Sequence, residues 1–529
     1  MTDSALPLHE RPEIRDRRWF ILGVMCLSLV LVVMSVSGLN VAIPSMAFDL
    51  DASATDLQWI VDSYAIIFAG LLLTAGAIGD RYGRKLALLG GLAVFGLGSM
   101  VGVIADSPGQ VIIARSIMGV GAAFIMPATL SLVTVVFPPQ ERTKAIAIWA
   151  GFAGAGGALG PLIVGFLLTD WWISPSYWWG AAFAVNIVVV ALVFAAVALY
   201  SPRSRDETST PLDPGGAALS IVGLAALLYG IIEGPNRGWT DELVLGSFLL
   251  AGVMAVLFLS WESRVRHPML PLGFFQDRRF TTGSIVITVA FFMMFGFFFL
   301  ATQYLQFVRD YSPLDAGVAT LPLAFSLVLV APRSAAVVDR VGLNRVIGFG
   351  FLSVTAGFVV MALLEPGSPY LQFAVGLVLL GAGMGITAAP ATGAIMSSIP
   401  LSKAGVGSAV NDTTRELGGA LGIAVLGTIA TSAYRGAVDG SSLPGGDLAL
   451  ARSSIAEALQ GAAAVGPDDP GRAAAIASEA GQAFTDAFTV TAGVSAVLGF
   501  VAAVTLFVMS RRKTTGEVVA RAEPRRATG

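Results

Sequence analysis

Apolar stretches of about twenty residues follow one another along almost the whole chain, divided by short segments that carry most of its charge. They predict fourteen helices, over residues 20–46, 57–79, 86–105, 110–136, 144–168, 178–200, 214–233, 243–261, 280–307, 316–338, 346–364, 369–398, 404–433 and 486–509. Each is long enough to cross a hydrocarbon layer of about 30 Å as a helix, and none alternates strictly as a barrel strand would. The first reads as a retained helix, because its apolar run is long and no small-residue cleavage site follows it. A mean hydropathy of +0.77 with only 13% charged residues excludes an ordinary soluble domain and makes lipid the solvent. The fold class expected is an all-α polytopic membrane protein.

Charge then orients the helices. Of the 32 lysines and arginines, all but a few lie in the N-terminal tail, the even-numbered loops or the C-terminal tail. The exceptions are Arg237, Arg309, Arg435, Arg452 and Arg472 in the opposite loops, with Arg115 and Arg415 well inside spans and Arg333 in the last turns of span 316–338. An excess of basic residues marks cytoplasmic loops, so both termini are expected in the cytoplasm and the chain in the cytoplasmic membrane. A lone cysteine, Cys26, excludes an internal disulfide or thiolate cluster. His9 and His267 both fall in cytoplasmic segments, which leaves carboxylates to carry any protons through the membrane.

The chain also repeats itself. GGALGPLIVG at 156–165 has a near twin in GGALGIAVLG at 418–427. Gly119 and Gly121 match Gly381 and Gly383, Pro127-Ala128-Thr129 matches Pro390-Ala391-Thr392, and Asp80-Arg81-x-Gly83 matches Asp339-Arg340-x-Gly342. Four landmarks in one order divide the chain into a cytoplasmic tail (1–18), a six-helix bundle (19–200), two additional helices (201–266), a second six-helix bundle (267–510) holding an external loop (434–485), and a C-terminal tail (511–529). Paired halves enclose the site of many secondary transporters near the membrane midplane. The repeated glycines also suit close helix packing, and the two readings are compatible.

After the second span the sequence reads GAIGDRYGRKLALLG. Gly76 and Gly79 permit close helix approach, Gly83 permits a tight turn, and Asp80, Arg81, Arg84 and Lys85 place charge at a helix junction, either as a latch or as plain cytoplasmic topology. This stretch resembles the signature loop of the major facilitator superfamily. ARSIMGVGAA, with Arg115, Gly119 and Gly121, is similar to that superfamily's span 4 motif; AGGALGPLIVG, with Gly156, Gly160, Pro161 and Gly165, is similar to the span 5 motif of its antiporters. Fourteen spans, QWIVDSYAIIFAG at 58–70, and QYLQ followed by SPLDAGVATLP at 303–322 resemble the fourteen-helix drug:proton antiporters of the EmrB/QacA type. The resemblance implies that Pro161 belongs to the first half only, loosening one helical hydrogen bond and favouring exchange. The second copy has Ile423 there. The chain departs from the subfamily at Ser35, where an aspartate commonly precedes the N-x-A-[LI]-P pattern that is here Asn40 to Pro44.

Ionisable groups inside a bilayer cost roughly 2.5–3.5 kcal/mol each at a helix centre, so each one asks for a reason. Asp62, just inside span 2, is either a desolvated carboxylate that exchanges a proton or an interfacial aspartate that stays wet. Asp412, Arg415 and Glu416 share one face of span 13, forming either a coupling site or a neutralised packing network. Arg115 either faces the cavity or pairs with a carboxylate or a helix end, and Glu233 closes span 7 as a further proton candidate or a wet helix end. Phe291, Phe295, Phe298 and Phe299 form a broad face that lines a substrate pocket or meets lipid. Beyond span 13, two short amphipathic helices are expected near 447–462 and 470–484.

The function expected is export of amphipathic, cationic or lipophilic compounds in exchange for protons, by a monomer in the lipid bilayer, with no cofactor, no metal and no nucleic-acid partner. No G-x-x-x-x-G-K-[ST] sequence occurs, which disfavours an ATPase, and no nucleophile and base arrangement points to an enzyme. Two alternatives stay open: a dedicated exporter of one metabolite (an antibiotic, a siderophore or a lipid), and a non-transporting receptor or assembly factor.

Overall fold

In hydrocarbon a backbone N–H or C=O finds no water, so each crossing segment satisfies its own peptide groups as a helix. The computed structural model describes residues 10–169, 178–205, 213–266, 268, 270–399 and 404–522, and among them it is helical with no strand. His9 and His267 lie outside the described residues. The long helices are α1 (Arg18–Asp49), α2 (Ala54–Tyr82), α3 (Arg84–Val103), α4 (Pro108–Val136), α5 (Pro139–Leu167), α6 (Ala181–Tyr200), α7 (Pro214–Arg237), α8 (Glu242–Glu262), α9 (Arg278–Gln303), α10 (Leu321–Val341), α11 (Leu343–Ala362), α12 (Tyr370–Ser397), α13 (Ala404–Asp439) and α14 (Pro470–Ala522). Among the described residues twelve spans are long and apolar enough to cross a membrane, and the bent pair Ala54–Leu72 and Thr74–Tyr82, at 51°, makes a thirteenth when counted as one span. The continuous helix Pro139–Leu167 stands where the sequence places span 144–168.

At one end of the bundle, called here the terminal end, the start of α1 meets the ends of α4 and α6 through the ring contacts Trp19–Phe137 and Phe20–Tyr200. At that end Arg18 pairs with Glu141 at 2.9 Å, tying the starts of α1 and α5 together. The opposite, far end holds the five arginines that break the charge rule, and each is engaged. Arg237 lies 3.6 Å from Glu233, Arg452 2.9 Å from Asp439, and Arg472 2.6 Å from Asp447. Arg309 donates to the Ser368 carbonyl, and Arg435 donates to the Pro235 carbonyl at 3.1 Å and to Asn236 Oδ1 at 2.6 Å.

The internal repeat has a structural counterpart. Gly83 links α2 to α3 at φ +124°, and Gly342 links α10 to α11 at φ +91°. Both are conformations that a Cβ disfavours, so the same Asp-Arg-x-Gly spacing makes the same turn twice. The GGALG copies likewise seat matching helices. A Cβ on Gly160 would meet the Met34 carbonyl of α1 at 2.8 Å, and one on Gly418 or Gly422 would collide with the backbone of α9 at Thr288 or Phe292. Packing is therefore one role of the repeated stretch in both halves. Its last glycine crosses to the other half: Gly165 abuts the Pro313 carbonyl at 2.7 Å from an added Cβ, and Gly427 lies against Gln58 of α2. Both contacts lie toward the far end, where the halves meet.

Helix α7 packs into the seam between the halves. Leu228 and Ile232 are buried against Ala65 and Ile66 of α2 and against Ala420 and Ala424 of α13. Its partner α8 leaves Leu245, Leu249 and Val256 exposed, as a lipid-facing helix does.

The segment after α13 departs from expectation. The single helix expected near 447–462 is two, Gly445–Ser453 and Ile455–Val465, divided at the extended Ser454 that caps the second, and 470–484 is the first part of α14 and not a separate helix. Pro470 at the helix start suits the N-terminus of one long helix, and nothing after it breaks the run. Arg472 of α14 clasps the 1% exposed Asp447 through hydrogen bonds at 2.6, 2.9 and 3.0 Å.

Two outcomes are expected. Gly165→Val should push the halves apart at the far end, so that Thr55→Cys in a Cys26→Ser background reacts several-fold faster with a membrane-impermeant maleimide; an unchanged rate would sink the close-approach argument. The Arg472 guanidinium holds the Asp447 carboxyl below the usual carboxylate range. Its stabilisation is full above the unfolded value of about 3.9 and is lost as pH falls through the lower folded one. Hydrogen exchange over 445–465 should accordingly stay slow at neutral pH and accelerate only in strong acid.

Candidate functional site

Charged side chains from both halves converge in the middle of the seam. From the first half come Tyr64 of α2 and Arg115 of α4, both buried, with the guanidinium carbon 4.3 Å from the Tyr64 ring centroid. Arg115 Nε donates to the Ile60 carbonyl at 3.2 Å, which fixes the side chain against α2. Gly119 makes this approach possible, since a Cβ there would lie 2.7 Å from the Tyr64 carbonyl. Both terminal nitrogens of Arg115 are buried without a hydrogen-bond partner among the described residues.

From the second half comes α13. Arg415 Nη2 lies 3.4 Å from Glu416 Oε1 and 4.0 Å from Met126 Sδ of α4, and its guanidinium sits 5.6 Å from the centre of the Phe291 ring. Tyr64 and Glu416 lie within electrostatic range of each other and of both Arg115 and Arg415. Asp412, one turn away from Glu416, accepts a long hydrogen bond from Asn411 at 3.5 Å and feels the charge of Arg415. Arg415 thus bonds its chain neighbour Glu416, while Asp412 interacts with it only across space.

Asp62 stands apart. It begins about 12 Å into α2, counting from Ala54 at 1.5 Å per residue. It is 0% exposed, and neither carboxylate oxygen has a partner among the described residues. The wet interfacial alternative does not describe it. Gln58, one turn earlier on the same face, abuts Gly427 of α13, which places this face of α2 on the seam. Ser35 of α1, where an aspartate would match the subfamily pattern, is buried with its hydroxyl unpartnered among the described residues.

The other sequence candidates separate by position. Glu233 is held in the last turn of α7 by Arg237, toward the far end and away from the central charges. Phe291 reaches the charge cluster and meets Phe295 edge-on at 5.7 Å, while Phe295 also packs over Gly419 of α13. Phe298 leans on Phe297, and Phe299 is buried. In the signature loop, Asp80 Oδ1 accepts from Arg84 Nε at 2.7 Å and from Ser131 Oγ at 3.3 Å, joining α2, α3 and α4. Lys85 Nζ donates at 2.8 Å to the carbonyls of Ala198 and Ser201, and the Arg81 guanidinium lies over the Tyr82 ring. Gly76 packs on Pro127 of α4, and a Cβ on Gly156 would lie 3.1 Å from Val33 of α1. The carbonyl of Pro161 faces Gly317 in the short helix Pro313–Ala319 of the second half.

Sequence reasoning missed Tyr64, whose role depends on Arg115 lying above it. It also missed a three-part junction at the far end. Asn236 of α7 donates to Thr55 Oγ1 of α2 at 2.5 Å and accepts from Arg435 of α13, so one side chain bridges both halves. The isolated Arg435 in a loop poor in basic residues was the available signal.

Residues 25–423 match the family model described as Major Facilitator Superfamily. The chain is 33% identical over 498 residues to the multidrug efflux pump LfrA of Mycolicibacterium smegmatis, covering 94% of this chain and 97% of that protein. It is 31% identical to the methyl viologen resistance protein SmvA of Salmonella typhimurium, covering 84% and 89%, and 32% identical to the tetracenomycin C resistance and export protein of Streptomyces glaucescens, covering 79% and 77%. In fold it is similar to a bacterial homologue of the human lysosomal transporter Spinster in an inward-facing, unoccupied conformation, with a TM-score of 0.63 at 17% identity, covering 94% of this chain and 98% of that one.

Replacing the guanidinium tests its share in the site. Arg115→Lys keeps the charge but loses the Nε bond and the planar contact with Tyr64. It should destabilise the protein by about 1–2 kcal/mol, seen as a lower unfolding midpoint in detergent; an unchanged midpoint would mean that the guanidinium does not hold α2 to α4.

Proposed function

The chain belongs to the Major Facilitator Superfamily, and on that footing we propose that it is a fourteen-helix antiporter of the EmrB/QacA type that exports amphipathic, cationic or lipophilic compounds in exchange for protons. It works in the cytoplasmic membrane with both termini in the cytoplasm, as the charge distribution supports. The observation that carries the reading is the pair of buried carboxyls on the seam, Asp62 on the first half and Glu416 on the second, with the half-buried Asp412 one turn from Glu416.

The seam is where rocking halves separate, so these are the groups whose solvation changes with each cycle. A carboxyl without a partner is carried dry at least cost in its neutral form. Water or a cationic substrate reaching Asp62 then draws its proton away. Glu416 is placed differently, because Arg415 lies beside it and a cation entering near Phe291 competes with Arg415 for the carboxylate. Exchange follows if proton and cationic substrate cannot both be held. Each charge moved across 100 mV contributes about 2.3 kcal/mol, so one or two protons suffice for steep export.

Everted vesicles containing the protein, with an imposed proton gradient, provide the test. Ethidium, a quaternary ammonium compound and a neutral drug are added in turn. Gradient collapse on addition, lost in Asp62→Asn and in Glu416→Gln, is expected. Collapse with one compound alone would replace broad export by a dedicated exporter, as would suit a relative of the tetracenomycin C export protein. No response from inserted protein would remove proton exchange.

A further inference from the structure

A cavity of about 590 Å³ opens at the terminal end, between the signature loop and the segment that follows α6. Lys85, Arg203 and Arg205 line it, and among the described residues its lining holds no carboxylate. The wall is held by hydrogen bonds to backbone carbonyls: Arg84 N–H donates to the Ser204 carbonyl at 2.9 Å, and the Lys85 side chain donates through Nζ to the Ala198 and Ser201 carbonyls. Those neutral acceptors fix the ammonium without cancelling its charge. Arg203 is close enough for the two cations to repel. Ser204, also in the lining, has a buried hydroxyl without a partner among the described residues.

The remaining lining is apolar. Leu86 and Leu89 of α3 and Tyr82 of α2 form it, and Leu86 is 67% exposed. Leu86 begins an exposed stripe along α3 that continues through Leu97, Met100 and Ile104. On α6, Val188, Leu192 and Leu199 are exposed in the same way. The cavity therefore sits where two lipid-facing helices reach the headgroup level, with the exposed Arg203 and Arg205 beside its apolar lining.

We propose that this cavity holds the phosphate headgroup of an anionic glycerophospholipid from the adjoining leaflet, with Arg203, Lys85 and the Ser204 hydroxyl around the phosphate and the acyl chains along α3 and α6. A guanidinium presents paired donors to phosphate oxygens, and basic pockets between spanning helices are suited to anionic headgroups. The apolar rim favours a lipid over a soluble phosphate.

Native mass spectrometry of the full-length protein in detergent provides the test, with phosphatidylglycerol, phosphatidylcholine and glycerol 3-phosphate as probes. Phosphatidylglycerol adducts should survive where phosphatidylcholine adducts do not. Arg203→Gln should weaken them about tenfold, as expected on losing one charge-assisted contact. Arg203→Lys should restore most of the binding and thereby exclude simple misfolding. Equal retention of both lipids, or no effect of Arg203→Gln, would overturn the site. Displacement of the lipid by millimolar glycerol 3-phosphate would overturn its assignment to a lipid and leave a soluble phosphate site.

Discussion

Two helix backbones can touch only where no Cβ stands between them, and this contact sets the spacing on which the rest of the molecule depends. Gly160 lets α5 lie on α1, and Gly418 with Gly422 lets α13 lie on α9. Each repeated stretch then ends in a glycine that meets the other half, at Pro313 or at Gln58. The same ten residues thus join a helix pair within a half and a seam between halves. Pro161 adds to the first copy a carbonyl facing Gly317, a contact made without any side chain.

The seam explains where charge is tolerated. Arg115 is buried completely, yet its Nε is bonded, its plane lies on Tyr64, and Glu416 shares its field. Arg415 is balanced by Glu416 and by the face of Phe291. Breaking one member of such a group leaves an uncompensated charge in a dry setting, which is why paired groups persist there. Asp62 has no such company among the described residues, and that contrast separates a carboxyl with no ion-pair partner from Glu416, which has a cation beside it. The additional helix α7 covers this seam, burying Leu228 and Ile232 against both halves, and its end carries the Asn236 junction that Thr55 and Arg435 share.

Much of this architecture was legible along the chain, because lipid leaves a spanning segment no alternative to a helix and because Asp-Arg-x-Gly twice over makes a left-handed turn twice over. The residues 470–484 were not: their amphipathic pattern suits a separate helix as well as the first turns of α14, and only the clasp of Asp447 on Arg472 and the unbroken backbone distinguish the two. Tyr64 was equally hidden, since nothing in its own neighbourhood along the chain announces a guanidinium overhead.

The sequence by itself determined which segments lie in lipid, that the chain is built from two related halves, and which few ionisable residues enter the apolar spans, because hydrophobic length and charge cost act locally. Tertiary structure decided which of those residues meet. A helix's own residues establish what shares a face, but the partner face belongs to a helix far along the chain. Only packing at the glycine contacts brought Arg115 within range of Glu416 and left Asp62 dry on the seam.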